Sequence, residues 1–564
     1  MKERLPPSML LPSALQGALT RLDTHITERM AHARTPGMAL ALFDREEYLR
    51  VSTYGFADLE TESPVTPDTL FQIGSITKSF TAVAVMQAAE AGLLDLRAPV
   101  TDYLPWFEVQ SRYEPITIHH LLSHSAGLVG VIDKSPDVRG AVWALRDTKA
   151  GWPPGAKFSY SDAGYQALTL VLEAVTGRPY ADIISTGIFD PLDMAASHAA
   201  ITHSVRPRLA KGYTYLYDDR PHHPDDPLVL APWIETASGD CCIVSTAEDM
   251  ASYARMLLNR GQGPNGPVLS PEGYDQLTGH LMAEEWGEYG YGLMVRRRDG
   301  FTHIGHSGGM PGYTAEMLVD MDNGLGLVLL STHRHPPGLP WAVMGYWRAA
   351  YLGQDEALAS IELPLPPPPP DPTYVENATE YAGTYSSATG GEILTLSAEN
   401  SRLVLHHKGE QATLEKRGDD SFYVDHPDFR LFLLNFGRTA PARKGNSPGE
   451  PATVVEAWHG AGWYANDAYA GAREFAYPPE WAAYVGHYRA HIPWQTNFRV
   501  VLRKGRLWLV WPPGDEDPLF PLENGAFAVG EESSPEQLQF SDIAGGQALR
   551  ATLATCDYYR FFTP

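Results

Sequence analysis

The amino-acid sequence predicts an α/β sandwich over residues 1–355, followed by two small antiparallel β domains. Three observations point to this division. Strand patterns stand at both ends of the first region and helical patterns fill its middle, as in an antiparallel sheet flanked by helices. A run of prolines from Pro366 to Pro370 then interrupts the chain. Beyond it, short strand patterns occur twice at nearly constant spacing.

The first region opens with a predicted helix and two predicted strands. The helix has four apolar residues at helical spacing, and such a stripe needs a sheet to cover it: Leu15, Leu19, Leu22 and Ile26. Short apolar runs bounded by turn residues predict the strands. The predicted strands are Met38–Phe43, Tyr48–Tyr54, Phe301–His306, Tyr313–Val319 and Leu325–Ser331, and the clearest further helices are Ser79–Ala91 and Ala247–Leu258.

The proline run marks a linker, because consecutive prolines form a stiff, extended segment that joins a sheet poorly. After it, residues 381–385 read YAGTY and residues 484–488 read YVGHY, an offset of 103 (484 − 381). Residues 402–405 and 506–509 keep nearly the same offset. We therefore predict two similar β-barrel-like modules; one irregular β domain is the alternative. The expected division is 1–355, a linker at 356–374, then 375–475 and 476–564.

The chain is acidic and poor in cysteine. Its 564 residues carry 43 Lys and Arg against 68 Asp and Glu, a formal net charge of -25. This charge repels phosphate backbones and anionic lipid surfaces, so we expect neither nucleic acid nor membrane as a partner. Three cysteines, two of them adjacent, cannot build a disulfide framework, and no apolar run reaches the roughly 18 residues of a membrane span. With no secretory signal evident, we expect a cytoplasmic protein.

Ser75 and Lys78 form the first candidate catalytic pair. The segment Gly74–Lys78 reads GSITK and opens a predicted helix. A lysine three residues after a serine shares its helix face, so the ammonium can reach the hydroxyl. Backbone N–H groups at a helix start also offer donors for an oxyanion. The pattern alone is weak, because a capping serine beside a solvated lysine looks the same.

Further segments accompany this pair. Residues 160–162 read YSD, and residues 306–309 read HSGG after a predicted strand. Supporting segments are HLLSHSAGL at 120–128, WPPGAKFSY at 152–160 and STAED at 245–249. In this order the motifs resemble those of the serine β-lactamase and penicillin-binding-protein superfamily, over about residues 15–350. The resemblance implies the β-lactamase/DD-peptidase type of sandwich, an antiparallel sheet flanked by helices.

The same resemblance implies roles for individual residues. Ser75 would be the nucleophile, and Lys78 and Tyr160 would handle its proton, because a serine hydroxyl attacks only when a base takes that proton. The backbone N–H groups of Ser75 and Gly309 would bind the oxyanion. The expected catalytic residues are Ser75, Lys78, Tyr160 and His306, and the expected substrate contacts are Asp162, Ser307 and Gly308.

Asp162 and His306 depart from the usual motifs. Asn is usual where Asp162 stands, and an ionised Asp accepts hydrogen bonds without donating any. Near Lys78 it would favour the ammonium form, shift base duty toward Tyr160 and attract a substrate amine; a purely structural Asp is the alternative. His306 replaces the lysine of β-lactamases, as in D-aminopeptidases, related peptidases and carboxylesterases, and its imidazole is expected to titrate near neutrality. The two C-terminal modules especially resemble the lipocalin-like barrels of three-domain D-aminopeptidases.

Two histidine-containing segments could suggest a metal site. His120 and His124 have the spacing of helical metal ligands, but no Glu follows the first His, and a structural role is favoured. Residues 222–226 combine His and Asp between prolines, which indicates a solvated loop. We therefore expect neither a metal nor a cofactor.

The predicted function is hydrolysis of an amide or ester through an acyl-Ser75 intermediate. The expected substrate is a small molecule or short peptide, with D-amino-acid peptides or amides favoured by the resemblance. A carboxylesterase, a penicillin-binding-protein-like peptide cyclase and a binding protein that is acylated without turnover are the alternatives. Homo-oligomerisation is left open.

Overall fold

The structure is a computed structural model that describes residues 13–130, 137–284, 287–353, 370–439 and 452–562. The N-terminal segment and most of the linker predicted at 356–374 lie outside the described residues. The chain divides into two compact units, Met1–Thr214 with Leu228–Pro368 and Tyr215–Pro227 with Pro369–Pro564. The residue-level bounds predicted for the domains remain predictions.

A nine-stranded antiparallel sheet forms the centre of the first unit. Its middle strands, Gly37–Asp44 and Leu325–Ser331, pair with Met38 opposite Ser331. Nearly every residue of both strands is buried, which explains why they read as continuous apolar runs. In sheet order the strands are Met282–Glu284, Gly287–Tyr289, Met294–Arg298, Phe301–Met310, Tyr313–Asp320, Leu325–Ser331, Gly37–Asp44, Tyr48–Asp58 and Ser63–Pro64. All five predicted strands are therefore confirmed.

Helices cover both faces of this sheet. Ser13–Ala33 and Leu339–Leu352 share one apolar core with the sheet, in which Leu22 and Ile26 are fully buried. Ala247–Leu258 packs against the two middle strands, and Thr77–Glu90 begins two residues before its prediction. The other helices of this unit are Ile118–Leu122, Val138–Trp143, Asp162–Thr176, Tyr180–Ile184 and Pro271–Gly279. This is the predicted α/β sandwich, and none of the helices among the described residues is long and apolar enough to cross a membrane.

Two closed eight-stranded barrels make up most of the second unit, as the repeat predicts. The first barrel consists of Gly383–Ser387, Ile393–Glu399, Arg402–His407, Glu410–Lys416, Ser421–Val424, Leu434–Arg438, Val454–His459 and Gly462–Ala465. The second consists of Gly486–Arg489, Asn497–Arg503, Arg506–Val510, Glu516–Pro521, Phe527–Val529, Gln537–Ala544, Gln547–Leu553 and Cys556–Phe561. Side chains fill both interiors, as expected for barrels of eight strands.

The sequence repeat corresponds to a repeated structural detail. The hydroxyl of Tyr385 donates to the carbonyl oxygen of Tyr381 at 2.9 Å. In the second barrel Tyr488 donates to Tyr484 in the same way, at 2.8 Å. The first tyrosine of each pair belongs to or directly follows a short helical segment, Ala378–Tyr381 or Pro479–Ala483. The alternative of one irregular β domain is therefore wrong.

Residues 215–227 fold with the second unit. Arg489 donates to the Asp218 carboxylate at 2.6 Å, and His223 Nε2 lies 3.1 Å from a carboxylate oxygen of Glu415. The predicted loop at 222–226 is present and only partly solvated, with 87% of the Asp225 side chain but 20% of the His223 side chain exposed. Prolines interrupt regular structure, but they do not by themselves place a segment in water.

Glu316, in the strand Tyr313–Asp320, is a buried acid with an unpaired oxygen. Its Oε1 finds no hydrogen-bond partner among the described residues. Burial raises the pKa of Glu316 to about 7, although Arg296 opposes the rise. The folded state therefore binds this proton more tightly than the unfolded chain, whose reference value is 4.5. Stability linked to Glu316 is then greatest below the unfolded pKa and is lost as pH rises toward the folded pKa.

We expect Glu316→Gln to stabilise the protein much more at pH 8 than at pH 4, because the amide carries no charge to bury. The difference between the two gains should be roughly 3 kcal/mol in the free energy of unfolding. Urea unfolding followed by circular dichroism at both pH values measures it. Equal gains at pH 4 and pH 8 would show that Glu316 does not titrate in this range.

Candidate active site

Ser75 lies in a tight turn that is pressed against a sheet strand. The turn, Gly74–Ile76, immediately precedes the helix Thr77–Glu90, so the helix begins after the serine and not at it. Gly74 has a φ of +54°, and a Cβ there would lie 2.6 Å from the carbonyl oxygen of Gly309. A Cβ on Gly308 would lie 3.2 Å from the backbone nitrogen of Ser75. Only glycines allow this approach.

Lys78 is fully buried beside Ser75. Its Nζ donates to Ser75 Oγ at 3.1 Å and to the backbone carbonyl of Asp240 at 3.0 Å. The carboxylate of Asp162 provides the third oxygen around Nζ, with Oδ1 at 2.6 Å. Three oxygens thus surround a group that carries three N–H donors as an ammonium.

The charges around Lys78 decide its protonation state. Burial alone would lower the pKa of Lys78, but the charge of Asp162 leads the opposing effects, and the pKa of Lys78 lies above its ordinary value. The lysine is therefore an ammonium at neutral pH, as predicted for an ionised Asp at position 162. An ammonium has no lone pair, so it can take the proton of Ser75 only after giving up one of its own.

Tyr160 lies directly over the lysine. Its ring centroid is 4.9 Å from Lys78 Nζ, and its hydroxyl interacts with both Lys78 and Ser75. Burial raises the pKa of Tyr160 to about 12, although the ammonium of Lys78 pulls it down. Tyr160 is therefore a phenol in the resting site and is placed to donate a proton.

A chain of hydrogen bonds links the YSD segment at 160–162 to the HSGG segment at 306–309. Tyr289 Oη lies 2.9 Å from Nε2 of His306 and 3.3 Å from Nε2 of His124. At one end, the backbone N–H of Ser161 donates to His124 Nδ1 at 3.0 Å. At the other end, His306 Nδ1 lies 2.5 Å from the carbonyl oxygen of Ser307.

The two backbone groups fix the tautomers within this chain. Because an N–H only donates, His124 Nδ1 is an acceptor and its Nε2 carries the hydrogen. Because a carbonyl only accepts, His306 Nδ1 carries the hydrogen and its Nε2 accepts. Tyr289 then accepts from His124 and donates to His306. Every hydrogen bond of the chain is satisfied when both imidazoles are neutral.

His306 is a buried structural partner of this chain. Burial, followed by the charge of Lys78, lowers the pKa of His306 to about 3. The expectation that its imidazole titrates near neutrality is therefore wrong, because that expectation assumed a solvated ring. His306 lies within the site, with its ring centroid 6.3 Å from that of Tyr160.

The structure brings Ser75, Lys78, Tyr160, Asp162 and His306 together, and Gly308 and Gly309 lie against the turn that carries Ser75. Ser307 is half-buried and pairs with Glu316 across the strands, and Gly309 is exposed. The sequence reading missed Asp240 and Tyr289, since neither stands in a recognisable motif. His124 belongs to the HLLSHSAGL segment, which was a usable signal. Among the described residues, no group of three His, Cys, Asp or Glu side chains could hold a metal ion.

Comparison with known proteins agrees with this geometry. Residues 22–341 match the family described as Beta-lactamase. Penicillin-binding protein 4 of Amycolatopsis lactamdurans is 31% identical over 331 residues, which cover 54% of this chain and 84% of that protein. Teichoic acid D-alanine hydrolase of Staphylococcus aureus (strain MRSA252) is 33% identical over 180 residues, 31% of this chain and 44% of that protein.

One solved structure shows the same fold over most of the chain. It is an octameric penicillin-binding protein homologue from Pyrococcus abyssi, with a TM-score of 0.56 and 24% identity. The match covers 79% of this chain and 100% of that one. At this identity the likeness concerns the fold alone.

We expect Tyr289→Phe to slow acylation of Ser75 because two buried imidazole nitrogens lose their partner. Leaving such groups unpaired costs about 1 to 3 kcal/mol. If this cost raises the activation free energy of acylation, the reaction becomes roughly fivefold to hundredfold slower. The rate of labelling by a fluorophosphonate measures this. Tyr253→Phe is the matched control, because Tyr253 is a buried phenol that donates to Ser79 Oγ, outside the chain, at 3.0 Å. Equal slowing in both variants would contradict a special role for Tyr289.

Proposed function

Because this chain belongs to the beta-lactamase family of serine hydrolases, we propose that it cleaves amides or esters through an acyl-Ser75 intermediate, in the manner of a D-aminopeptidase or amidase. The placement of Ser75 carries the proposal. Its hydroxyl is 3.1 Å from the buried ammonium of Lys78 and interacts with Tyr160. A nucleophile with its own proton-handling groups is what acyl transfer requires.

The geometry supports a division of labour around the acyl group. The carbonyl carbon would be attacked by Ser75 Oγ, while the oxyanion would be held by the backbone N–H groups of Ser75 and Gly309. The backbone of Gly309 lies against the turn that carries the nucleophile, which supports this pairing. Tyr160, a phenol beside Ser75, would protonate the leaving group, and a water would then release the acyl group from the serine.

The favoured substrates are D-aminoacyl amides, esters or short peptides with a free amine. Asp162 supports this class: its Oδ1 is buried against Lys78, yet 27% of its side chain is exposed. The other carboxylate oxygen would hold a substrate ammonium. A D-aminoacyl group is also consistent with the relative named a teichoic acid D-alanine hydrolase. Ser307 and Gly308 would line the strand edge beside the bound acyl group.

Ser75→Ala is expected to abolish both covalent labelling by a fluorophosphonate and hydrolysis of D-aminoacyl amides, because it removes the hydroxyl that Lys78 and Tyr160 contact. Intact-mass spectrometry of the labelled protein and a panel of D- and L-aminoacyl amides measure the two effects. The mass of the product also separates hydrolysis from cyclisation, since hydrolysis adds water. Labelling of Ser75→Ala at the wild-type rate would contradict the proposed nucleophile.

Asp162→Asn is expected to raise KM for a D-aminoacyl amide with a free amine more than for its N-acetylated counterpart. The reason is that the amide cannot pair with an ammonium; a hydrogen-bonded charge pair is worth roughly 1.5 to 3 kcal/mol, or about tenfold to a hundredfold. Steady-state kinetics on the matched pair give the ratio. An unchanged ratio of KM values would exclude recognition of the amine by Asp162.

A further inference from the structure

Lys78 cannot be the final acceptor of the Ser75 proton while it is an ammonium. We propose that the proton passes through Lys78 to Asp162, so that the carboxylate behind the lysine is the base of the acylation step. This inference rests on the proposed acyl-Ser75 function. It assigns to Oδ1 of Asp162 a task separate from the substrate contact assigned to the other oxygen.

The position of Asp162 suits a proton acceptor. Its Oδ1 lies 2.6 Å from Lys78 Nζ as an ion pair, and no other donor among the described residues is bonded to it. A proton from Nζ would therefore displace no existing donor. Asp162 opens the helix Asp162–Thr176, behind its capping residue Ser161, so its backbone is fixed.

Asp240 is the competing acceptor, and its surroundings favour the protonated form. Burial and the charge of Asp162 raise the pKa of Asp240. Its Oδ1 accepts from Ser238, and its Oδ2 lies 3.5 Å from Nε2 of Gln166, whose own Oε1 is buried without a partner. Turning the Gln166 amide by 180° would let Oε1 accept a proton carried by Oδ2. Asp162 is therefore the better placed acceptor, because its Oδ1 lies on the ammonium, whereas the carboxyl oxygens of Asp240 contact Ser238 and Gln166.

The step balances without any outside reagent. Ser75 loses its O–H hydrogen to Lys78 as Oγ bonds to the acyl carbon, and one N–H hydrogen of Lys78 moves to Asp162 Oδ1. The negative charge leaves the carboxylate and appears on the oxyanion. When the intermediate collapses, Tyr160 gives its hydrogen to the leaving group and is reprotonated by Lys78. Asp162 then returns its proton to the lysine.

The groups around this relay hold constant charges near neutrality. Burial raises the pKa values of Tyr165, Tyr289 and Cys241 and lowers those of His124 and His306. The phenol of Tyr160 lies beside the same lysine, and burial together with the charge of Asp162 raises the pKa of Asp240. We therefore expect removal of the Asp162 carboxylate to change how Ser75 reactivity depends on pH.

The test follows the rate of fluorophosphonate labelling from pH 4 to pH 10 in the full chain. The probe carries no amine, so binding of a substrate ammonium does not enter. In the wild type, labelling needs only an unprotonated Asp162. In Asp162→Asn, Ser75 must wait for a neutral Lys78 or an ionised Tyr160, so the acid limb should move up by at least about two pH units. Below the new limb the rate should fall about a hundredfold, because each pH unit counts tenfold.

Asp240→Asn tests the competing acceptor, because it replaces the carboxyl group of the residue whose backbone carbonyl also binds Lys78. The acid limb of its labelling-rate profile should lie at the same pH as in the wild type. Labelling of Asp162→Asn that recovers at high pH shows that the variant is folded. A limb that does not move in Asp162→Asn, or one that moves in Asp240→Asn instead, overturns the inference. Wild-type protein that is not labelled at all contradicts the proposed function itself.

Discussion

The buried ammonium of Lys78 is the constraint on which the site depends. A charge removed from water costs several kcal/mol unless oxygens replace the lost solvent. Here the replacements come from three distant parts of the chain, the turn at Ser75, the backbone of Asp240 and the carboxylate of Asp162. Each of these segments must be in place for the lysine ammonium to have an oxygen contact on that side. The demand of one charge therefore organises elements that are far apart in sequence.

Close packing of backbone against backbone gives the nucleophile its position. The left-handed turn at Gly74 brings Ser75 to the strand Phe301–Met310, and the glycines of that strand leave room for the turn. A Cβ on Gly308 would lie 1.9 Å from the carbonyl oxygen of Ile73, which no relaxation of a side chain could relieve. The sheet, whose middle strands are buried on both faces, is the rigid support for this contact.

The sequence predicted those features that depend on local spacing. Ser75 and Lys78 are three residues apart, so their contact follows from helical geometry, and the two barrels follow from a repeat whose tyrosines make the same hydrogen bond twice. Burial could not be predicted in this way. The neutral state of His306, the chain through Tyr289 and the carboxyl of Asp240 depend on which segments cover them. The same applies to residues 215–227, whose partners lie more than 190 residues away in sequence.

One atom at position 162 determines how the rest of the site can work. The side-chain amide of an Asn would approach Lys78 with a neutral oxygen and leave the pKa of the buried lysine to fall under desolvation. The carboxylate of Asp162 reverses that balance and keeps the ammonium, which in turn holds the neighbouring phenol of Tyr160 in reach. As an ammonium the lysine cannot itself act as a base. In the proposed step it passes a proton from the hydroxyl of Ser75 to the carboxylate of Asp162. A second carboxylate near the same ammonium would add repulsion without a second countercharge, and burial together with the charge of Asp162 raises the pKa of Asp240. The site is neutral as a whole only when one of its two acids is protonated.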